Sequence, residues 1–196
     1  MINSINGKEP QWRFVGFFDD NEAIWASENH YGRIIGGIGA LNEWVTPLHL
    51  VIAIGSPDIL RSVAERISNP NVFFPNLIDP SVVFLDPDTL SIGKGNIITA
   101  NSFVSCQVEI GDFNILNGYV CVGHDVKIGN HNVLMPSCHV SGGVVIGNSN
   151  FLGLQSSVLQ NVTIGNNTRI GAGSVVIRKT KDGYLYLGNP ARRFDI

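Results

Sequence analysis

Between residues 92 and 181 the chain repeats every six residues without an insertion or a deletion. The first position of each six-residue unit, or hexad, is a branched aliphatic residue in all fifteen hexads, and every third hexad begins with Ile-Gly. These first positions are Ile92, Ile98, Val104, Ile110, Leu116, Val122, Ile128, Leu134, Val140, Ile146, Leu152, Val158, Ile164, Ile170 and Val176. The period of six predicts one short strand and one turn per hexad, and the period of eighteen predicts three sides per coil of a parallel β-helix. Because neighbouring strands lie about 4.8 Å apart, five coils would form a prism about 24 Å long.

The fifth hexad position supports this fold, because it separates into three columns of small residues. The columns are Asn96, Asn114, Asn132, Asn150 and Thr168; Ser102, Val120, Cys138, Ser156 and Ser174; and Val108, Val126, Val144 and Val162. Identical residues that stack between successive coils are typical of inward-facing ladders. The glycine that follows each Ile predicts either a positive φ or a close approach of two backbones.

Composition excludes several kinds of partner. Charged residues make up 15% of the chain and the net charge is −3, so a basic surface for nucleic acid is not expected. No apolar run approaches the ~20 residues of a membrane span, and no signal peptide is visible. The cysteines are Cys106, Cys121 and Cys138, an odd number without a CxxC pair. This favours free thiols in a reducing cytoplasm, and Cys138 at an inward position is expected to pack as a small apolar residue.

Residues 1–70 have a different pattern, which predicts a small α/β domain. Residues 14–18 predict a strand that ends at Asp19 and Asp20, and residues 49–54 predict a buried parallel strand followed by a turn. Residues 58–67 have the spacing of an amphipathic helix, and this order of strand, turn and helix is typical of a domain around a parallel sheet. Residues 71–91 are predicted to form a linker with an irregular first coil, which leads into the β-helix at 92–181. Residues 182–196 are predicted to form a C-terminal tail.

One feature of nucleotide-binding α/β domains is missing. Such a domain normally opens with a strand, a Gly-rich turn and a helix whose N-terminus faces a phosphate. Residues 1–11 are polar and contain no Gly-rich turn. Either the domain is abbreviated or the chain begins after that strand and turn, and the sequence leaves both alternatives open.

The order of these segments resembles a known group of enzymes. An α/β domain, a hexapeptide β-helix and the motif Gly-Asn-Pro-Ala-Arg at 188–192 are similar to the hexapeptide-repeat sugar O- and N-acyltransferases. This family includes sialic-acid O-acetyltransferases and bacterial N-acetyltransferases of UDP-4-amino sugars. The resemblance covers about residues 14–194. It implies a left-handed β-helix, although crossover connections are otherwise right-handed, and acetyl-CoA as the acyl donor without a metal.

The resemblance also implies roles for individual residues. His124 matches the family's general base, and Asp125 matches the acidic residue that helps to orient it. Asn117, one hexad earlier, matches a position near that base. The segments that bind the acceptor in the α/β domain match Asp19, Asp20, Ile54 and Gly55.

For acyl-CoA, the resemblance implies that the pantetheine arm and thioester lie along Gly142 and Ala172. Arg192 belongs to the terminal motif, which passes close to CoA in the family. Two features depart from the family pattern. A second histidine that contacts acyl-CoA nine residues after the base is Val133 in this chain, which changes the expected CoA contacts. The Gly-rich turn with its histidine has no counterpart, which bears on the binding of a nucleotide sugar.

The residues themselves support the role of His124. Histidine titrates near neutral pH, so it can take a proton from an attacking amine or hydroxyl without extreme tuning. His124 is at the third hexad position, where a side chain projects outward near a corner. Its neighbours one coil away are Cys106 and Gly142, so no ladder explains it. Asp125 is placed to accept a hydrogen bond from the ring; the alternative is a surface His-Asp pair without a function.

A metal site is another alternative for the histidines, because some hexapeptide β-helices are carbonic anhydrases with three zinc-binding histidines shared between subunits. Such a site requires closely spaced histidines with converging rings. His124, His131 and His139 occupy different hexad positions and form no His-x4-His pair. The sequence therefore predicts no metal.

Together these features predict a cytoplasmic, acetyl-CoA-dependent acetyltransferase that acts on a nucleotide-linked amino sugar. Flat apolar faces on the prism favour a homotrimer with acyl-CoA in the groove between neighbouring prisms. A backbone N–H such as that of Gly142 would stabilise the oxyanion. Two alternatives stay open: a sugar O-acetyltransferase of the sialic-acid type, and a non-catalytic trimeric scaffold.

Overall fold

Residues 77–187 form a left-handed parallel β-helix with three sides, here named sheets A, B and C, and Arg192–Phe194 adds one antiparallel strand at the end of sheet A. The computed structural model describes residues 1–7, 10–25 and 27–194, so residues 195 and 196 of the predicted tail lie outside the described residues. Sheet A contains Leu77–Ile78, Ile97–Ile98, Ile115–Leu116, Val133–Leu134, Phe151–Leu152, Arg169–Ile170, Leu185–Leu187 and Arg192–Phe194. Sheet B contains Val83–Phe84, Phe103–Val104, Cys121–Val122, His139–Val140, Ser157–Val158 and Val175–Val176. Sheet C contains Ser91–Ile92, Glu109–Ile110, Lys127–Ile128, Val145–Ile146 and Thr163–Ile164.

The first coil of the prism precedes the regular hexads. Leu77 pairs with Ile97 and Val83 pairs with Phe103, an offset of twenty residues rather than the eighteen that separate Ser91 from its partner in sheet C. The two extra residues lie between sheets B and C of this coil, where the chain forms the 3₁₀ turn Pro87–Thr89. The segment predicted as a linker with an irregular first coil therefore contributes strands to all three sheets.

The centre of the prism is filled by the first and fifth hexad positions, as the repeat predicts. Fourteen of the fifteen first positions are at most 3% exposed. In the asparagine column, Nδ2 of Asn114, Asn132 and Asn150 each donates to Oδ1 of the asparagine one coil earlier, at 2.9–3.1 Å. A buried amide without a partner would cost about 1–3 kcal/mol. The ladder therefore provides partners for the amide groups that the asparagine column places in the core.

Each corner of the prism turns through one residue with left-handed backbone geometry. The fourth hexad position has a positive φ in all fourteen hexads from Gly95 to Gly173, and eleven of these residues are not glycine. The glycine of the Ile-Gly pairs has a different role. A Cβ at Gly111 would lie 2.7 Å from the backbone oxygen of Gly129 on the next coil. Of the two predicted reasons for these glycines, close backbone approach is therefore the one that applies.

The N-terminal domain consists of short elements. Its described residues form α1 (Ile2–Asn6), β1 (Phe17–Phe18), β2 (Glu28–Asn29), β3 (Gly32–Gly36), α2 (Ile38–Asn42), β4 (Leu48–His49), α3 (Pro57–Arg66), β5 (Val72–Phe73) and the 3₁₀ turn Glu22–Ile24. β3 pairs with β1 in parallel and with β2 in antiparallel orientation, while β4 pairs with β5 in parallel. The single parallel sheet expected from the sequence is therefore two small sheets, one of them mixed. No helix in the described part of the chain is long and apolar enough to cross a membrane.

The N-terminal domain packs on the outward face of sheet A. Proline at the first position of α3, an acidic residue in its first turn and Arg66 in its last favour a helix here. The apolar side of α3, including Leu60, packs with Ile52 against the outward residues Ile115 and Val133 of sheet A. One face of the prism is thus covered within the same chain.

The two other faces of the prism differ from each other. On sheet C, Lys127 Nζ and Glu109 Oε1 form an exposed ion pair at 2.7 Å. The outward strand residues of sheet B carry no formal charge: Val83, Phe103, Cys121, His139, Ser157 and Val175. The expectation of apolar faces around the prism is therefore corrected, because among the described residues only sheet B presents an uncharged face that the chain itself leaves uncovered.

Candidate active site

His124 and Asp125 lie together at the corner between sheets B and C. Asp125 occupies the left-handed corner position with φ 58°, and its backbone N–H donates to the carbonyl of Cys106 at 3.1 Å. In this conformation Asp125 Oδ2 and His124 Nδ1 are 2.7 Å apart. A carboxylate at this position holds the proton on Nδ1 and leaves the lone pair of Nε2 free. A histidine that acts as a general base needs this tautomer and an open ring nitrogen.

The imidazole of His124 lies against Gly142 on the next coil. A Cβ at residue 142 would be 2.5 Å from His124 Nε2 and 2.6 Å from Cε1, so only glycine leaves the ring in place. The backbone N–H of Gly142 donates to no protein acceptor within residues 1–7, 10–25 and 27–194, whereas that of Gly143 donates to the carbonyl of His124 at 2.8 Å. A base nitrogen and a free N–H donor thus belong to neighbouring coils at the same corner. Acyl transfer needs both groups.

The other histidines of the prism do not join His124. His131 stacks on Phe113 with ring centres 5.6 Å apart, and burial lowers the pKa of His131. His139 lies on sheet B, where its Nδ1 is 3.0 Å from the carbonyl of Ser137. No group of three His, Cys, Asp or Glu in the described part of the chain could hold a metal ion.

Asn117 and Ala172 lie at a different corner of the prism from His124, the corner between sheets A and B. Asn117 Nδ2 donates to the carbonyl of Leu134 at 3.1 Å, so this side chain is tied to its own corner. Ala172 is exposed at the same corner near the C-terminal end of the prism, and Arg192 is exposed in the last strand of sheet A. One six-residue side separates this corner from that of His124, a distance of up to about 20 Å. Within one chain these predicted site residues are not brought together.

Asp20 is engaged in the structure of the N-terminal domain. Its Oδ1 accepts the backbone N–H of Ile38 at 2.8 Å, and its Oδ2 pairs with Arg66 Nη2 at 2.9 Å. The hydrogen bond from Ile38 and the nearby guanidinium of Arg66 hold the pKa of Asp20 below its usual value. Asp19 is more open: its Oδ1 accepts the N–H of Asn21 at 2.8 Å, and its Oδ2 has no partner among the described residues.

Ile54 and Gly55 end the extended segment that precedes α3. Ile54 packs in the core between α3 and sheet A, whereas a Cβ at Gly55 would meet nothing within 4 Å. Asp20 contacts Arg66, the last of the ten residues of α3, while Gly55 lies two residues before the first. A helix of this length spans about 15 Å. Asp20 thus contacts the side chain of the last residue of α3, whereas Gly55 precedes the first residue of that helix.

The N-terminal domain and His124 lie on opposite sides of the prism. The domain covers sheet A, and the corner between sheets B and C is the one that sheet A does not touch. His124 therefore does not face Asp19 or Gly55 of its own chain.

β3 and α2 are not among the elements predicted from the sequence. The chain passes from β3 to α2 through Gly36 and Gly37, and a Cβ at Gly37 would be 2.6 Å from Asp20 Oδ1. This turn brings the N-terminal N–H of α2 to the carboxylate. Two adjacent glycines after the apolar pair Ile34-Ile35 are the signal in the sequence that indicates it.

Comparisons with known proteins agree with this architecture. Residues 1–67 match the family described as PglD N-terminal domain, and residues 143–178 match bacterial transferase hexapeptide (six repeats). PerB from Caulobacter crescentus, solved with CoA and GDP-perosamine, is 30% identical with a TM-score of 0.75, over 85% of this chain and 80% of PerB. The acetyltransferase domain of PglB from Neisseria gonorrhoeae, solved with acetyl coenzyme A, is 26% identical with a TM-score of 0.86, over 98% and 93% of the two chains. WeeI from Acinetobacter baumannii shares the fold, with 21% identity and a TM-score of 0.87 over 97% and 92%.

A sequence comparison with curated proteins gives no significant match. The similarity to PerB extends over most of both chains and is accompanied by both family matches. The chain belongs to the hexapeptide-repeat sugar acyltransferases. The family expected from the sequence is confirmed, and with it the class of enzyme, an acyltransferase.

Proposed function

We propose that the chain is an acetyl-CoA-dependent N-acetyltransferase of a nucleotide-linked amino sugar. The observation that carries this proposal is the pairing of His124 Nδ1 with Asp125 Oδ2 at 2.7 Å, with Nε2 lying over Gly142. The choice of donor and acceptor class is supported by PerB, solved with CoA and GDP-perosamine, and by PglB, solved with acetyl coenzyme A.

In the proposed reaction the Asp125 carboxylate keeps the proton of His124 on Nδ1. As the amine of the acceptor attacks the acetyl carbonyl, Nε2 takes a proton from the nitrogen and the N–C bond forms. The free N–H of Gly142 donates to the oxygen that becomes negative. Collapse of the tetrahedral intermediate breaks the C–S bond, and the leaving thiolate recovers the proton from His124. The products are the N-acetyl sugar and CoA.

The second part of the proposal is a cytoplasmic homotrimer in which neighbouring chains complete the site. Sheet A is covered by the chain's own domain and sheet C carries an ion pair, which leaves the uncharged sheet B as the face for a neighbour. A neighbour packed there would bring its own α/β domain or its corner between sheets A and B toward His124. Acyl-CoA would lie in the groove, along Gly142 of one chain and Ala172 and Arg192 of the next. Three free cysteines support a reducing compartment.

An acceptor panel tests the proposal directly. Full-length chain is mixed with acetyl-CoA and with 4-amino sugars linked to UDP, GDP or dTDP, each beside the matching 4-hydroxy sugar. Release of the CoA thiol and a product heavier by one acetyl group with an amino sugar only is the expected result. Acetylation of the hydroxy sugars would show that the enzyme is an O-acetyltransferase and would contradict the proposal. Failure to bind acetyl-CoA at all would favour the scaffold.

A further inference from the structure

The C-terminal end of the prism is positively charged in a chain that is acidic overall. Residues 177–194 contain five lysine or arginine side chains and one carboxylate, a net charge of +4. The rest of the chain has eight cations and fifteen carboxylates, a net charge of −7. The five cations are Arg178, Lys179, Lys181, Arg192 and Arg193, all of them exposed. This separation of charge gives the molecule one end that attracts anionic surfaces.

The fold places these residues on the last coil and on the strand pair that caps it. The backbone N–H of Thr180 donates to the carbonyl of Thr163 at 3.0 Å, which places this segment at the end of sheet C. The N–H of Ala191 donates to the carbonyl of Val175 at 2.7 Å, at the end of sheet B. Arg192–Phe194 is the outermost strand of sheet A. Residues 177–194 therefore cover all three sides of this end of the prism.

Apolar side chains are exposed among these cations. Ile177 is 40% exposed, Tyr184 and Leu187 are each 38% exposed, and Phe194 is 53% exposed. The guanidinium carbon of Arg193 lies 4.7 Å from the centre of the Tyr184 ring. Exposed aliphatic and aromatic side chains mixed with cations are typical of surfaces that lie on a membrane. The apolar groups enter the headgroup region while the cations bind anionic lipids.

We propose that residues 177–194 bind an anionic membrane surface peripherally. The one carboxylate in this segment, Asp182, is engaged within the protein, because its Oδ2 accepts Nδ2 of Asn166 and its Oδ1 accepts the N–H of Asn166, both at 3.0 Å. His124 lies on the side of the prism, so a chain whose C-terminal end lies on a membrane does not place lipid over that corner. Arg192 also belongs to the proposed CoA groove, so the test below changes Arg178, Lys179 and Lys181 instead.

Vesicle flotation tests this proposal with the full chain. Wild-type chain should float with vesicles that contain phosphatidylglycerol and remain unbound with pure phosphatidylcholine. The triple variant Arg178→Gln/Lys179→Gln/Lys181→Gln should lose on the order of 100-fold in vesicle binding, since each cation near an anionic surface contributes roughly fivefold. The matched control Arg13→Gln/Arg33→Gln/Lys94→Gln has the same change in net charge and should bind like wild type.

Flotation of the wild-type chain at increasing salt concentration gives a test that needs no variant. If electrostatic attraction holds the chain on the vesicles, screening by salt should release it. Equal binding to both kinds of vesicle would overturn the proposal, and so would an equal loss in the two triple variants. If these cations serve only the phosphates of CoA, the first triple variant would raise KM for acetyl-CoA without changing vesicle binding. That result would also overturn it.

Discussion

Replacement of Gly142 by alanine tests the geometry around His124 without removing the imidazole. The new Cβ would lie 2.5 Å from Nε2, whereas ordinary contacts begin at 3.4 Å, so the ring has to move by about 1 Å. The His124 side chain is 55% exposed, so its ring can shift toward solvent without disturbing the core. We therefore expect the free energy of unfolding to change by less than about 1 kcal/mol. A misplacement of about 1 Å in an active site costs on the order of 100-fold in rate. We therefore expect kcat/KM to fall about 100-fold, which corresponds to about 2.7 kcal/mol.

The assay compares CoA release by wild type, Gly142→Ala and the control Gly39→Ala at subsaturating acceptor. A Cβ at Gly39 would meet nothing within 4 Å, so this second glycine-to-alanine change should leave kcat/KM unchanged. Urea denaturation of all three proteins checks that stability is preserved. Wild-type kcat/KM in Gly142→Ala would refute the inference that the imidazole acts from its position over residue 142.

Three further predictions follow from contacts in the structure. Asp125→Asn should lower kcat by about 100-fold or more, because an amide can donate to Nδ1 and so favour the wrong tautomer; isothermal titration should show unchanged affinity for acetyl-CoA. Asn132→Ala should lower the free energy of unfolding by about 2–4 kcal/mol in urea, because the buried N–H and Nδ2 of Asn150 lose their shared acceptor. The pKa of Asp20 is lowered in the folded state by the Ile38 hydrogen bond, so its carboxylate stabilises the fold above the unfolded pKa of about 3.9 and that contribution is lost as the pH falls further. The difference in Tm between wild type and Asp20→Asn should therefore shrink on acidification through this range, and a constant difference would contradict the assignment.

The β-helix could be predicted because the first and fifth hexad positions have one environment, the core, along the whole prism. Leu116 and Asn114 are both fully buried, one by aliphatic packing and one by the amide ladder, and both are repeated at eighteen residues. The N-terminal domain offers no such repeat. β2 is two residues long, too short for periodicity, and β3 joins β1 through contacts distant in sequence, such as the N–H of Asp19 with the carbonyl of Gly36 at 2.8 Å. Its two small sheets were therefore not predictable from local pattern.

The candidate site was predicted in part for a similar reason. His124 and Asp125 are adjacent in sequence, so their contact depends only on the corner conformation. The position of the N-terminal domain depends on which face of the prism it covers. The sequence does indicate that the domain covers sheet A, because the outward residues Ile115 and Val133 of sheet A are apolar where sheet C has charged residues. Because the N-terminal domain covers sheet A, Asp19 and Gly55 are separated from His124, which lies at the corner between sheets B and C.

The central inference is that His124 Nε2 is the base of an acetyl transfer. The most direct measurement is kcat/KM for acceptor-dependent CoA release by wild type, His124→Ala and His30→Ala. His30 is an exposed histidine of the N-terminal domain that contacts Tyr31, with ring centres 5.1 Å apart, and it serves as the matched control. We expect His124→Ala to lose about 10²- to 10⁴-fold in kcat/KM, with acetyl-CoA still bound, while His30→Ala keeps wild-type activity. Full activity in His124→Ala would contradict the assignment of the base.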